Sequence, residues 1–201
     1  MPPRAPSGAH PTWDRLYESA AAQAGYVTQA QALEAGYSPQ LVRYYVQDGR
    51  LERVGRGLLR LVHFPPSDHE DLVILWLWSG REGVFSHETA LMLHDLSDAL
   101  PANRHMTVPL TWSKRRLRLA RGLVLHFADL PKKARAWVGA IPVTTPLRTV
   151  LDCEAARVSA DLVRQAVDQG VRRGLFDRTE VNAGLRRTRQ QRHSAAKLRH
   201  P

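Results

Sequence analysis

Cysteine is almost absent from this 201-residue sequence, where Cys153 stands alone. A single thiol excludes an internal disulfide and any multi-cysteine zinc site within one chain. Acidic residues are also scarce: 19 Asp and Glu face 29 Lys and Arg, for a formal net charge of +10 and a sequence pI near 10.6. That balance points to an anionic partner, nucleic acid before membrane. Long apolar runs are missing. The longest, Leu72 to Trp78, falls far short of the ~20 residues needed to span a bilayer, and MPPRAPSGAHP at the start lacks the apolar core of a signal peptide. A cytoplasmic protein without membrane association is the expectation. The 43% of hydrophobic residues suffices for a real core, and the length suits one large domain or two small ones.

The most informative stretch is TQAQALEAGYSPQLVRYYVQDGRLERVGRGLLRL, Thr28 to Leu61. Thr28 and Gln31 form a capping box, and Ser38 followed by Pro39 supplies an N-cap with proline at the first helical position. Gly36 and Gly49 can take the left-handed conformation that ends a helix. Two short helices joined by a glycine-containing turn predict a helix-turn-helix. The second helix sorts at period 3.6 into two faces. Leu41, Val42, Tyr45 and Val46 form one, and Gln40, Arg43, Tyr44 and Gln47 the other. The outer face has no acid, whereas an ordinary solvated helix mixes Glu and Lys. Arg can grip guanine and Gln adenine bidentately in the major groove of double-stranded DNA. Alternation through Leu61 around Gly55 and Gly57 predicts a hairpin presenting Arg53 and Arg56 at its tip, a wing placed to touch phosphates.

Residues 1 to 10 hold three prolines and no apolar periodicity, which predicts a disordered leader. A helix from Trp13 to Ala24, packing through Leu16, Tyr17 and Ala20, would complete a winged domain over residues 11 to 64. Pro65 and Pro66 mark a boundary, and Ser67 with Glu70 reads as another capping box. The helix from Asp68 to Ser79 is apolar all round, which predicts a central helix of a second domain, residues 67 to 185. Ser86 would cap HETALMLHDL. Residues 105–110, 123–127 and 141–144 look like strands. Three helices follow, starting at Thr145–Pro146 and at the N-caps Ser159 and Asp177. Residues 186–201 have little apolar content and predict a basic mobile tail. The fold class is therefore α+β.

Residues 113–135 hold eight Lys or Arg against Asp129 alone, net +7, and residues 172–201 hold nine against Asp177 and Glu180, also net +7. Residues 11–64 carry only +1. Electrostatic attraction should thus come from outside the winged region, with Lys114, Arg115, Arg116 and Arg118 expected on phosphates.

Catalytic patterns fail in turn. HExxH would need a histidine where Leu91 stands. His94 lies about two turns from His87, too far for one metal. No lysine has an acid two residues before it, as a PD-(D/E)xK nuclease site requires: those positions hold Trp112, Leu130, Pro131 and Ala195. Asp68 and Glu70 form a D-x-E pair like that of nucleotidyltransferases, but no glycine-serine motif precedes it. Cys153 reads as a buried structural thiol. Neither enzyme activity, nor a cofactor, nor a metal site is expected.

GRLERVGRGLLRL, VFSHETALMLHDL, MTVP, GLVLHF and PVTTPLRTVLD, in this order, resemble the AbiEi-type antitoxins of type IV toxin–antitoxin systems over roughly residues 13–155. The resemblance implies a winged helix-turn-helix that binds an inverted-repeat operator at its own promoter. It also implies a C-terminal domain that counters a nucleotidyltransferase-type toxin from the adjacent gene. The family's DNA contacts carry over to Gln40, Arg43, Tyr44, Gln47, Arg53 and Arg56. Two alternatives stay open, a stand-alone regulator without a toxin and a degenerate nuclease-related DNA-binding protein. The oligomeric state is left undetermined.

Overall fold

The computed structural model describes residues 12–197, so the predicted leader and the last four residues lie outside the described residues. The architecture is α+β, and the described residues fall into two compact units that divide between Arg81 and Glu82.

In the first unit, α1 (Trp13–Ala21), β1 (Tyr26–Thr28), α2 (Gln29–Glu34), α3 (Pro39–Gln47), β2 (Leu51–Gly55), β3 (Leu58–Leu61) and α4 (Glu70–Trp78) follow in order. The first helix ends earlier than Ala24 because Ala24 and Gly25 take φ of 52° and 87°, outside the helical region. Gly25 is required twice over there: a Cβ would lie 2.6 Å from the Phe64 ring. This turn feeds β1, a strand too short to show in the sequence, into an antiparallel sheet of order β1-β3-β2. The core gathers Leu16, Ala20, Val27, Ala32, Val42, Leu51 and Leu59. Tyr17 does not join it as predicted: it stays 48% exposed, its ring 6.2 Å from that of Phe64.

The sequence pattern places the apolar helix α4 at the centre of the second domain, yet it belongs to the first unit, whose boundary falls after Arg81. The physical reason lies in its first turn. Glu70 accepts hydrogen bonds from the Tyr26 hydroxyl at 2.6 Å and from Arg60 at 3.2 Å, tying the helix to β1 and β3. The Ser67–Glu70 box forms by half, through the Ser67 amide at 3.1 Å.

The second unit holds β4 (Val84–Phe85), α5 (His87–Leu93), β5 (Arg104–Val108), β6 (Leu123–Phe127), β7 (Arg135–Val138), β8 (Ile141–Thr144), α6 (Pro146–Ala155), α7 (Ala160–Arg172) and α8 (Arg178–Lys197). Its mixed sheet has the order β6-β5-β4-β8-β7. Two of these strands have no sequence signature: β4 is two residues long, and β7 (RAWV) lacks the apolar alternation of a strand. A helical core of Leu91, Leu96, Val150, Cys153, Val167 and Val181 packs α5 through α8 together. The predicted mobile tail is helical through Lys197, because Glu154 on α6 binds Arg189 and Arg192. Ser86, Thr145 and Ser159 occupy N-cap positions, but none makes the side-chain cap bond expected of it.

Candidate nucleic-acid interface

The capping box at Thr28 is complete: the Gln31 amide donates to Thr28 Oγ1 at 3.2 Å, and the Thr28 amide to Gln31 Oε1 at 2.9 Å. Gln31 Nε2 also donates to Gln23 Oε1 at 2.9 Å, so a buried amide pair fixes where α2 begins. Ser38 Oγ accepts from the Leu41 amide at 3.2 Å and starts α3. Both helices end in the same way. Tyr37 N donates to Ala32 O and Gly36 N to Leu33 O; Arg50 N donates to Tyr45 O and Gly49 N to Val46 O. These paired bonds are Schellman closures, which need the left-handed φ of 91° at Gly36 and 77° at Gly49. The rotation of α3 is set by these four ends together with its packing.

That rotation buries Val42, half-buries Leu41, Tyr45 and Val46, and leaves Gln40, Arg43, Tyr44 and Gln47 exposed. Tyr45 anchors the inner side, with ring centroids 5.9 Å from Trp13 and 5.6 Å from both Tyr37 and Tyr44. Tyr44 meets it edge-on at 79° and remains 58% exposed. An outer face of one guanidinium, two carboxamides and a phenol can donate and accept hydrogen bonds in a groove without meeting phosphate repulsion.

The hairpin turns at Arg56 and Gly57, with Gly55 opposite Leu58, a bulge between Arg53 and Gly55, and φ of 73° at Gly57. Arg56 stands at the tip and Arg53, also exposed, lies on β2 opposite Leu59 rather than at the tip. The wing is held back on the helix-turn-helix, since the Gln29 amide donates to Gly57 O at 2.8 Å.

Residues 14–62 match a family model described as the AbiEi antitoxin transcriptional regulator. Over this segment the chain is similar to the AbiEi-type regulators. A search of curated proteins gave no match. The crystal structure of the RV2827C protein from Mycobacterium tuberculosis aligns with 90% of this chain and 84% of its own, at 14% identity and a TM-score of 0.45, too distant a likeness to transfer anything.

Outside the matched segment, the predicted phosphate-contacting residues lie in the second unit. Lys114 ends a 3-10 turn, Leu110–Lys114, and Arg115, Arg116 and Arg118 follow in an irregular stretch before β6, all exposed. Arg115 is partly committed, its guanidinium 4.5 Å from the ring of buried Trp112. The D-x-E candidate is resolved by its surroundings: Glu70 is bound to Tyr26 and Arg60, which hold its carboxyl below the usual range, the Tyr26 bond contributing most. His94 is packed, its Nε2 2.7 Å from Thr144 O. Cys153 is buried, and burial pushes its thiol up, so it is not a reactive nucleophile.

One cluster has no counterpart in the sequence reading. His87, His105 and His126, from α5, β5 and β6, meet in the second unit. The rings of His87 and His126 stack at 3.6 Å and 15°, His105 Nδ1 lies 3.0 Å from His126 Nε2, and His105 Nε2 lies 3.3 Å from Glu88 Oε2. With Glu88 as acceptor, His105 Nε2 donates to it and its Nδ1 accepts from His126 Nε2–H. Thr107 donates to Ser86 Oγ at 2.8 Å, and Ser86 Oγ lies 2.9 Å from His87 Nδ1, so Ser86 serves this network instead of capping α5. Burial, and then the neighbouring histidines, lower His87 to about 3; burial and His105 lower His126 to about 4. Stacked rings cannot aim their in-plane lone pairs at one ion, and no group of three or more His, Cys, Asp or Glu among the described residues is arranged to hold a metal. The available signal was that each histidine sits inside one of the motifs SHETA, HMTVP and LVLHF. Their convergence required the sheet order.

Proposed function

We propose that this chain is a DNA-binding antitoxin and autorepressor that occupies an inverted-repeat operator at its own promoter and counters a nucleotidyltransferase-type toxin. The observation that carries the reading is the exposed, acid-free face of Gln40, Arg43, Tyr44 and Gln47 on a helix whose two ends are fixed by a cap and a Schellman closure. In this reading α3 enters the major groove, Arg53 and Arg56 touch adjacent phosphates, and the basic segment of Lys114, Arg115, Arg116 and Arg118 supplies sequence-independent attraction. Repression follows from occupancy, with no bond made or broken. Among the described residues no helix is long and apolar enough to cross a membrane, which is compatible with action on DNA.

A stand-alone regulator is the second reading, favoured by the end of the family match at residue 62. Selection of bound duplexes from a random pool tests the shared part: the antitoxin and the stand-alone regulator both require an enriched inverted repeat. Growth of cells expressing the adjacent gene, with and without the full chain, separates them. Rescue supports the antitoxin; toxicity undiminished by the full chain leaves the regulator alone.

A further inference from the structure

The second half of α8 is an unusual helix. From Arg186 to Lys197 it contains five Lys or Arg, no acid, and no apolar residue besides Ala195 and Ala196. No residue from Arg186 to Ser194 is buried, so packing does not hold this half in place. Like charges three residues apart, Arg186–Arg189 and Arg189–Arg192, oppose it further. What holds it is Glu154. Its carboxylate accepts from Arg189 Nε at 3.0 Å and Nη2 at 3.2 Å, in a bidentate fork, and from Arg192 Nη1 at 3.2 Å; Arg192 Nη1 also donates to Glu154 O at 2.5 Å. The Arg189 bond, first among several effects, keeps the Glu154 carboxyl below its ordinary range.

This clamp engages Arg189, which stays exposed, and half-buried Arg192 on the side toward α6, and thereby sets which side of the helix is left without it. On the opposite side Arg187, Gln190, Gln191 and Ser194 recur at i, i+3, i+4 and i+7, all exposed. The spacing is that of Gln40, Arg43, Tyr44 and Gln47 on α3, and the chemistry is closely similar: a guanidinium, two carboxamides and a hydroxyl, with no acid. Arg186 flanks the face and is exposed.

We propose that this face of α8 is a further duplex-DNA contact surface, which grips phosphates and does not read bases. The proposal rests on the reading of the chain as a DNA-binding regulator, and extends it to a helix outside the matched domain. Phosphate is the fitting ligand because residues 172–201 carry a net +7 and because guanidinium, carboxamide and hydroxyl groups all donate to phosphate oxygens.

The test uses the full chain, titrated with a duplex from upstream of its gene and with a scrambled duplex of equal length, over a range of salt. Arg186→Gln with Arg187→Gln preserves helix propensity and should weaken both duplexes by the same factor, roughly tenfold or more at 0.1 M salt. It should reduce the slope of log affinity against log salt by about 1.8, or about 0.9 for each phosphate that is no longer neutralised. Amide exchange across Arg186–Ser194 should also slow when scrambled duplex is added to the unaltered chain. Unchanged affinity and slope, unchanged exchange, or a weakening confined to the upstream duplex would each overturn the proposal. Arg43→Ala, run in parallel, separates the two claims. If it weakens preference for the upstream duplex while the α8 variant does nothing, only the α8 surface fails. If the unaltered chain binds neither duplex, the regulator reading fails and this surface with it.

Discussion

Arg43 occupies the middle of the exposed α3 face, one turn from Gln40 and from Gln47, on the side away from buried Val42. Its truncation should leave the melting temperature unchanged. On the operator Arg43→Ala should cost about 1–3 kcal/mol and relax preference at one base pair per half-site, with a much smaller effect on scrambled duplex. Paired titrations at one salt concentration measure this; equal effects would mark Arg43 as a phosphate contact. His87 is the residue whose environment the sequence could not disclose. It takes φ of 53°, uncommon for a residue with a side chain, and stacks on His126 of β6. Its pKa of about 3 and that of His126, about 4, lie below the ordinary 6.5, so the unfolded chain binds protons more readily than the folded one. The stabilising effect of these neutral rings is full above pH 6.5 and is lost as pH falls toward 4 and then 3. Denaturant midpoints should decline as pH falls across that window, and His126→Gln should flatten the decline; an identical pH profile in the variant would show that the cluster does not set the acid sensitivity.

At the level of elements, the helix-turn-helix is legible because its determinants are local. A cap and a Schellman closure involve residues within six positions of one another, and Thr28, Ser38, Gly36 and Gly49 all do what their neighbours in sequence dictate. Thr28→Ala should therefore lower stability by about 1–2 kcal/mol, read as a lowered thermal midpoint, while leaving the exposed face of α3 chemically intact. Gly25→Ala should do more harm, since the left-handed φ and the 2.6 Å approach of Phe64 act together. Wild-type-like melting of that variant would show that the turn is not constrained as drawn. Elements with distant determinants are less legible. Apolar periodicity identifies α4 as a helix but cannot tell which unit it serves, because the Tyr26–Glu70 bond spans 44 residues. The end of α8 looks like a mobile tail in sequence for the same reason: its partner Glu154 lies 35 residues before Arg189.

For the whole molecule, charge is what would govern the proposed contact with DNA. The winged region is nearly neutral, so most of the salt dependence of binding should reside in the second unit. Replacing Lys114, Arg115, Arg116 and Arg118 together with Ala should weaken all duplexes alike and flatten the salt slope, by up to about 0.9 for each cation that meets a phosphate. An unaltered slope would leave that segment as a solvated connection between Trp112 and β6. The sequence by itself determined the charge balance, the α+β class, the caps and turns of the helix-turn-helix and the polarity of the α3 face. Each follows from composition or from contacts within one or two helical turns. Only the tertiary structure decided the membership of α4, the order β6-β5-β4-β8-β7, the meeting of His87, His105 and His126, and the clamp of Glu154 on α8. Those features depend on side chains far apart in sequence, whose approach is set by the packing of strands and helices and leaves no periodic trace along the chain.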